Sequence, residues 1–281
     1  MNKMIMTLFA RTPVHVGAGN SVGAVDSPIQ RERHTRIPII PGSSLKGVLA
    51  DLWNGELENK TRVSGSDIRA LFGSDESKNA EAGALLVGEA RVLAFPVRSA
   101  KGSFAWITSP LALQRYARDC GEKVPEDIDF SKLDENSCLA AKAVKLDEFV
   151  VLEEYRFASI GESVIIADWL KDLVSDPVWK EMPDRLVVLS NEMFSYFCEQ
   201  SCEVVSRIRI DDVKGTVAKG ALFNQEQVPS ETLFYSVCFI DERRCADTVS
   251  KVKDKLSSVG GILQVGGDAS TGLGYCSVEV K

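Results

Sequence analysis

PGSSLKGVLADLW, residues 41–53, has the pattern of an amphipathic helix. Its apolar residues recur every three or four positions, which places them on one helix face that can pack against a core. The hydroxyl of Ser43 or Ser44 stands where it can accept a hydrogen bond from the first turn and cap the helix. The apolar face consists of Leu45, Val48, Leu49, Leu52 and Trp53. The sequence therefore predicts a helix with one buried face.

Strands and helices alternate on both sides of this helix. Apolar, β-branched stretches predict the strands, and capping residues with glycine stops mark the helices. The predicted strands include 3–16, 83–99, 232–240 and 275–280, and further helices follow Ser109-Pro110 and Asp247. The β-α-β-β-α-β order favours an α+β fold, with a ferredoxin-like core that carries insertions.

The composition is that of an ordinary globular protein, since 44% of the 281 residues are hydrophobic and 26% are charged. No apolar run approaches the roughly 18 residues of a membrane-spanning helix, and the N-terminal apolar stretch is too short and broken for a secretory signal. The seven cysteines are odd in number and form no C-x-x-C pair, which is typical of a reducing compartment. We expect one domain over residues 1–281, located in the cytoplasm and without a membrane partner.

Charge is distributed unevenly along the chain. The 33 basic and 40 acidic residues give a net charge of −7, which argues weakly against a generic nucleic-acid-binding protein. Residues 1–47, however, hold six Lys and Arg residues against Asp26 and Glu32, a surplus of four positive charges. Any basic surface is therefore expected at the N-terminal end.

The segment PGSSLKG, residues 41–47, is a candidate phosphate site. Free backbone N–H groups at a helix N-terminus attract phosphate, and Lys46 with the hydroxyls of Ser43 and Ser44 would strengthen that attraction. The spacing of a Walker loop is absent. The alternative is that the serines only cap the helix and that Lys46 is solvated.

Residues 17–41, rich in glycine and proline, predict a long loop, and such loops in compact domains usually have a function. Asp26 on this loop could hold a divalent cation or orient a hydroxyl group. Arg31, Arg33 and Arg36 could bind phosphates beside it. Asp-Ser-Pro is equally the sequence of an ordinary Asx turn.

His15 and Glu226 are weaker candidates. His15 follows the first strand and could act as a general acid or base, although a lone histidine there is more often packed or hydrogen-bonded. Glu226 flanks a predicted turn, where a solvated surface charge is the simpler interpretation.

The glycine-rich stretch VGGDASTGLGY, residues 265–275, allows a backbone or a ligand to approach closely, with Ser270 and Thr271 offering hydroxyls. Its glycines are Gly266, Gly267, Gly272 and Gly274. It does not have the spacing of a dinucleotide-binding motif, and tight-turn geometry is the alternative. The strand EVVSRIRID places Arg207 and Arg209 on one face.

Together these segments resemble the RAMP superfamily, and within it the backbone subunits of type III-B CRISPR Cmr effector complexes, the fourth Cmr subunits of the Cas-seven class. The resemblance runs from the first strand to the last. It rests on DSPIQRERHTRIPIIPGSSLKG, EARVLAFPVRS, RIRID, GALFNQEQVPSETLFY and LQVGGDASTGLGY. The most specific part combines PGSSLKG and the Asp26 loop with a C-terminal G-x5-G-x-G at Gly266, Gly272 and Gly274.

The resemblance implies a ferredoxin-like (RRM-like) palm with a β-hairpin thumb inserted at 203–232, a catalytic loop at 17–41 and an insertion at 121–185. It implies that copies stack head to tail along a guide CRISPR RNA, together with other Cmr subunits. The palm would contact guide phosphates through Lys46, Ser43 and Ser44. The thumb would wedge into the duplex of guide and target RNA.

It also implies an endoribonuclease that uses Asp26 and a divalent metal ion, Mg²⁺ or Mn²⁺. His15 and Glu226 are weaker candidates for helping in this reaction. Three interpretations stay open. The chain is a metal-dependent RNA-guided endoribonuclease, a structural RNA-binding filament protein, or a guide-processing ribonuclease that uses His15 without metal.

Overall fold

A computed structural model describes residues 2–19, 23–74, 80–126, 128–208 and 222–281, which form a mixed α/β structure. The strands are β1 (Asn2–Ala10), β2 (Ile39–Ile40), β3 (Leu57–Glu58), β4 (Thr61–Arg62), β5 (Leu85–Arg98), β6 (Phe104–Thr108), β7 (Ser137–Ala140), β8 (Phe149–Leu152), β9 (Tyr155–Gly161), β10 (Leu186–Val188), β11 (Glu203–Arg207), β12 (Phe223–Gln227), β13 (Leu233–Ile240), β14 (Ile262–Gln264) and β15 (Tyr275–Val280). The helices are α1 (Gly42–Asp51), α2 (Asp67–Phe72), α3 (Pro110–Cys120), α4 (Val164–Leu170), α5 (Met182–Arg185), α6 (Asn191–Gln200) and α7 (Thr248–Ser258).

One large mixed sheet is the frame of the described residues. Its strands follow the order β14-β15-β1-β13-β5-β6-β10-β7-β9-β8, and β2 pairs with β5 beside this row. The pairs β10–β6 and β7–β9 are parallel. Strand β1 lies between β13 and β15 and is antiparallel to both. The loop that follows β1 therefore starts beside strands from the C-terminal end of the sequence.

Alternate side chains of β1 enter two hydrophobic cores, one on each face of the sheet. Met4 and Leu8 pack in the core that contains the buried residues of α1 and α7. Phe9 packs in the other core, below α3 and α4, where it meets Trp106 and Trp179. Helices α1 and α3 are thus on opposite faces of the sheet.

The first predicted helix is present as α1, but its predicted cap is wrong. Pro41 occupies the N-cap position without a side-chain hydrogen bond, and Ser43 and Ser44 lie inside the first turn. Gly42 permits this earlier start because it has no Cβ. A Cβ at this position would lie 2.4 Å from the carbonyl oxygen of Val87 on β5 and would clash with it. The helix N-terminus can therefore lie directly against the sheet.

Other predicted boundaries differ in how well they hold. Helix α3 is confirmed, with Ser109 accepting a hydrogen bond from its first turn and Gly121 left-handed at its end. The first strand is shorter than predicted and ends at Ala10. Pro13 has no N–H for a ladder, and Val14 makes only an isolated bridge to Val228.

Strands β11 and β12 form an antiparallel pair outside the large sheet, inside the range 203–232 predicted to be a hairpin. The residues that connect them include 209–221, which lie outside the described residues. The range 121–185, predicted as an insertion, supplies β7, β8 and β9 and so continues the large sheet. Among the described helices, none is long and apolar enough to cross a membrane.

Candidate nucleic-acid interface

The loop after β1 is fastened to strand β12 next to Asp26. Ser27 donates its backbone N–H to the carbonyl of Asn224 at 3.0 Å, and Glu226 donates its own to the carbonyl of Ser27 at 3.0 Å. The Asp26 carboxylate accepts the N–H of Asn224 at 2.8 Å through Oδ2. Asp26 is exposed, and the described residues offer its Oδ1 no partner. One carboxylate oxygen is thus anchored and the other is open to a ligand.

A buried ion pair holds the next part of the loop. Arg31 Nη2 donates to Glu226 Oε1 at 2.6 Å, and the two side chains are only 4% and 12% exposed. Glu226 Oε2 accepts the N–H of Ile29 at 3.0 Å. Arg31 Nη1 donates to the carbonyls of Arg36 at 2.6 Å and Cys198 at 2.9 Å. The predicted phosphate ligand Arg31 is therefore engaged inside the protein, and Glu226 positions the loop.

His15 is 6% exposed and belongs to the same network. Its Nδ1 lies 2.7 Å from the carbonyl oxygen of Glu226, which can only accept, so Nδ1 carries the hydrogen and donates. Its Nε2 lies 3.3 Å from Ser27 Oγ. Both ring nitrogens therefore hold the loop against β12.

The glycine-rich loop packs against the backbone of the same histidine. Gly267 donates its N–H to the carbonyl of His15 at 2.9 Å. Gly266 has a φ of +88°, and a Cβ there would lie 2.2 Å from that carbonyl oxygen, so only glycine fits. Ser270 and Thr271 are exposed beyond this contact. The close approach predicted from the glycines is thus made to backbone at Gly266. The hydroxyl of Thr271 donates to the carbonyl of Asp268 at 3.0 Å.

Asp268 connects this loop to the β11–β12 pair. Its Oδ2 accepts Gln225 Nε2 at 2.6 Å and lies 3.6 Å from Arg207 Nη1. Arg207 also donates to Thr271 Oγ1 at 3.3 Å. Asp268 and Gln225 were not among the predicted site residues. The alternation of Gln225 and Gln227 was an available signal for a strand, and both side chains are buried in the structure. The other predicted arginine of this segment, Arg209, lies outside the described residues.

The N-terminus of α1 lies outside this network. Ser43 is exposed, Ser44 and Lys46 are half-buried, and Lys46 has no hydrogen-bond or ion-pair partner among the described residues. Ser44 already donates its N–H to the carbonyl of Pro41 at 3.0 Å. The ammonium group of Lys46 is therefore available to an anionic ligand at the positive end of the helix.

The two remaining arginines of the loop differ from Arg31. Arg36, left-handed at a φ of 62°, forms an exposed ion pair with Glu199 at 3.1 Å. Arg33 is exposed, and within the described ranges it has no partner. Of the three arginines predicted to bind phosphate, Arg33 is the one whose guanidinium is fully available.

A metal ion would find few ligands here. Over the part of the chain that the structure describes, no three His, Cys, Asp or Glu side chains come together to hold one. Asp26 supplies a single carboxylate with one oxygen already engaged. Mg²⁺ is commonly held by one or two carboxylates together with waters and substrate phosphates. The residues present therefore fit a metal ion that is shared with a phosphate-bearing ligand.

Comparisons with known proteins point in one direction. Residues 7–277 match the RAMP superfamily. The chain is 36% identical over 291 residues to the CRISPR system Cmr endoribonuclease Cmr4 of Pyrococcus furiosus, covering 100% of this chain and 96% of that protein. The crystal structure of oligomeric Cmr4 from Pyrococcus furiosus has a TM-score of 0.75 at 29% identity, covering 100% and 98% of the two chains. A chain of the type III-B Cmr-beta complex bound to cognate target RNA has a TM-score of 0.76 at 23% identity, covering 100% and 97%, which shows the same fold.

Proposed function

Because the chain belongs to the RAMP superfamily, we propose that it is an RNA-binding backbone subunit of a type III-B CRISPR Cmr effector complex whose Asp26 cleaves guide-paired target RNA. The observation that carries this proposal is the Asp26 carboxylate, with one oxygen anchored on Asn224 and the other open. The full-length relative from Pyrococcus furiosus is named an endoribonuclease, which supports RNA cleavage as the reaction.

The strand order supports a ferredoxin-like (RRM-like) palm. Strands β15, β1, β13 and β5 are neighbours and antiparallel, with α1 between β1 and β5 in sequence and α7 between β13 and β15. This order is the one expected of a β-α-β-β-α-β unit. In the proposal the β11–β12 pair is the base of the thumb that enters the guide–target duplex.

In the proposed complex the chain binds guide CRISPR RNA, target RNA, further copies of itself and other Cmr subunits. The oligomeric crystal structure of a relative supports self-association. Lys46, Ser43 and Ser44 would bind guide phosphates at the N-terminus of α1, where the helix dipole favours negative charge. The exposed Ser270 and Thr271, next to Arg207, would contact RNA beside the thumb.

Asp26 orients the attacking group in the proposed reaction. Its open oxygen accepts the proton of a target 2′-hydroxyl, whose oxygen then bonds to the adjacent phosphorus as the bond to the 5′-oxygen breaks. The products are a 2′,3′-cyclic phosphate and a 5′-hydroxyl, which takes its proton from water. His15 and Glu226 are positioning residues, since they fix the loop to β12 rather than facing RNA.

We include a divalent ion, Mg²⁺ or Mn²⁺, in the proposal. Asp26 would hold it through a lone pair that remains on its carboxylate, with phosphate oxygens of the RNA as further ligands. When bound, the ion would stabilise negative charge on the reacting phosphate.

The Asn224–Asp26 hydrogen bond also favours a second candidate function. If Asp26 only anchors β12, the chain is a non-catalytic RNA-binding scaffold subunit of the same kind of complex. A guide-processing enzyme that uses His15 is disfavoured, because both ring nitrogens of His15 are engaged in hydrogen bonds with Glu226 and Ser27.

The test is cleavage of end-labelled target RNA by the complex reconstituted around wild type, Asp26→Ala or Asp26→Asn, with Mg²⁺ or EDTA. Asp26→Asn keeps an oxygen for the Asn224 N–H and removes only the charge. Regularly spaced products should vanish in both variants and with EDTA, while target binding persists. Asp254→Asn, at an exposed position on α7, is the matched control and should cleave normally. Unchanged cleavage by Asp26→Asn would make the chain a scaffold.

A further inference from the structure

A cationic cleft of about 400 Å³ opens where the loop after Asp26 passes over α3 and β5. We call it the α3 cleft, and its walls include Arg33 and His34 from the loop, Arg115 and Arg118 from α3, and Arg91 from β5. Five arginines and two glutamates line it, and because Arg31 is paired with Glu226 behind the cleft, a formal surplus of two positive charges remains. The whole chain carries a net charge of −7, so the sign of the charge is locally reversed.

Some of these arginines are neutralised within the protein. Arg115 donates twice to the buried Glu32 at 3.0 Å, and Arg91 pairs with Glu89 at 2.8 Å. Burial acts to raise the pKa of Glu32, but hydrogen bonds from Thr35 and Arg115 outweigh it and hold that pKa below its usual range. These pairs build the floor of the cleft.

Two guanidinium groups remain for a ligand. Arg33 is exposed and without a partner in the described part of the chain. Arg118 is 66% exposed and faces Asp119, at 3.0 Å, whose single charge is also 3.5 Å from Arg91. Because Arg91 already pairs with Glu89, Asp119 balances mainly Arg118, and the charge of Arg33 is left over at the mouth of the cleft. Guanidinium forks of this kind match phosphate oxygens.

The position of the cleft relates it to the strand that is cut. Asp26 and Arg33 are seven residues apart, so their Cα atoms are separated by at most about 25 Å even in a fully extended chain. Helix α3 packs on the face of the sheet opposite α1, where the guide phosphates are placed in the proposed function. A phosphate in the α3 cleft is therefore near the cleavage loop and on the other face from the guide site.

We propose that the α3 cleft binds backbone phosphates of the target RNA strand a few nucleotides from the position of cleavage. This rests on the proposed function and adds to it a second phosphate site, formed by Arg33 and Arg118. The arginine–glutamate ion pairs in the floor contribute rigidity, and the two exposed arginines contribute the contacts with phosphate.

The test compares a double variant, which carries both Arg33→Gln and Arg118→Gln, with wild type, each in the guide-loaded complex. Target binding is titrated at several salt concentrations. Two lost phosphate contacts should lower the slope of log K against log salt by about 1.4 to 1.8 and weaken binding roughly 3- to 10-fold at 0.15 M salt. The guide content of the complex should be unchanged. The matched control, Lys180→Gln with Lys253→Gln, removes the same charge at two other exposed positions and should leave the slope as in wild type.

Two outcomes would overturn the proposal. An unchanged slope means that the cleft does not touch target RNA, whether or not wild type cleaves. A smaller assembly in sedimentation, with target binding per subunit unchanged, means that the cleft faces another copy of the chain. The proposed function fails separately, if wild type itself neither binds nor cuts target RNA.

Discussion

Replacement of Arg31 by methionine should destabilise the protein far more than removal of an exposed arginine from the same loop. The side chains of Arg31 and Glu226 are 4% and 12% exposed and lie 2.6 Å apart. Removal of one partner from a buried ion pair leaves the other charge uncompensated, at a cost of about 3–5 kcal/mol. Arg36 and Glu199 form the matched pair on the surface, with side chains 55% and 38% exposed. Arg36→Gln should therefore cost only about 0–1 kcal/mol.

The assay is urea unfolding of the isolated chain, with the single variants Arg31→Met and Glu226→Gln and the double variant. Because the two side chains share one interaction, the double variant should lose less free energy of unfolding than the sum of the single variants. A free energy of unfolding for Arg31→Met within about 1 kcal/mol of that for Arg36→Gln, together with an additive cycle, would show that the pair is not buried. Arg31 would then face solvent, where it could bind RNA as its sequence position suggested.

Two further predictions concern stability elsewhere in the structure. Burial, together with the charge of Asp176, raises the pKa of Glu231 to about 7 from 4.5, so the folded state retains a proton that the unfolded chain releases, and stability falls as the pH rises from 4.5 to 7. After a reduction of roughly half for partial exposure, Glu231→Gln should stabilise the protein by about 1–2 kcal/mol at pH 8 and much less at pH 4. The measurement is urea unfolding at both pH values, with the exposed Glu135→Gln as the control. An equal effect at pH 4 and pH 8 would contradict the prediction. Gly266→Ala should lower the Tm more than Gly272→Ala. Both residues have a φ near +90°, but only at Gly266 would a Cβ lie 2.2 Å from a carbonyl oxygen. Equal losses of Tm in thermal unfolding would argue against that clash.

Local signals predicted the elements whose ends are encoded locally. Ser109, Pro110 and Gly121 mark α3 because a hydroxyl, a fixed φ and a left-handed glycine act within one turn. The first cap failed because a contact with a distant strand decides it: Gly42 lies against Val87. The placement of β7 and β9 in the large sheet also depends on pairing with distant partners, which periodicity does not report.

The candidate site shows the same division. The Asp26 loop and the glycine-rich loop were found by their residue types, and the structure brings both to β12. The positions of Arg31 and Glu226 were not predictable, since charge suggests phosphate or solvent and only the fold shows that the two side chains are buried together. Asp268 was missed because its partner Gln225 lies 43 positions away.

The topology also sets when the site can form during synthesis. Strand β1 is made early but lies between β13 and β15, and His15 meets its Glu226 partner across 211 positions of sequence. Contacts of such long range form slowly, because closing the intervening chain costs entropy. A nascent chain that stops before residue 265 has neither the second neighbour of β1 nor the contact between the glycine-rich loop and His15. A chain interrupted before β12 also lacks Asn224 and Glu226, the partners that fasten the loop after β1.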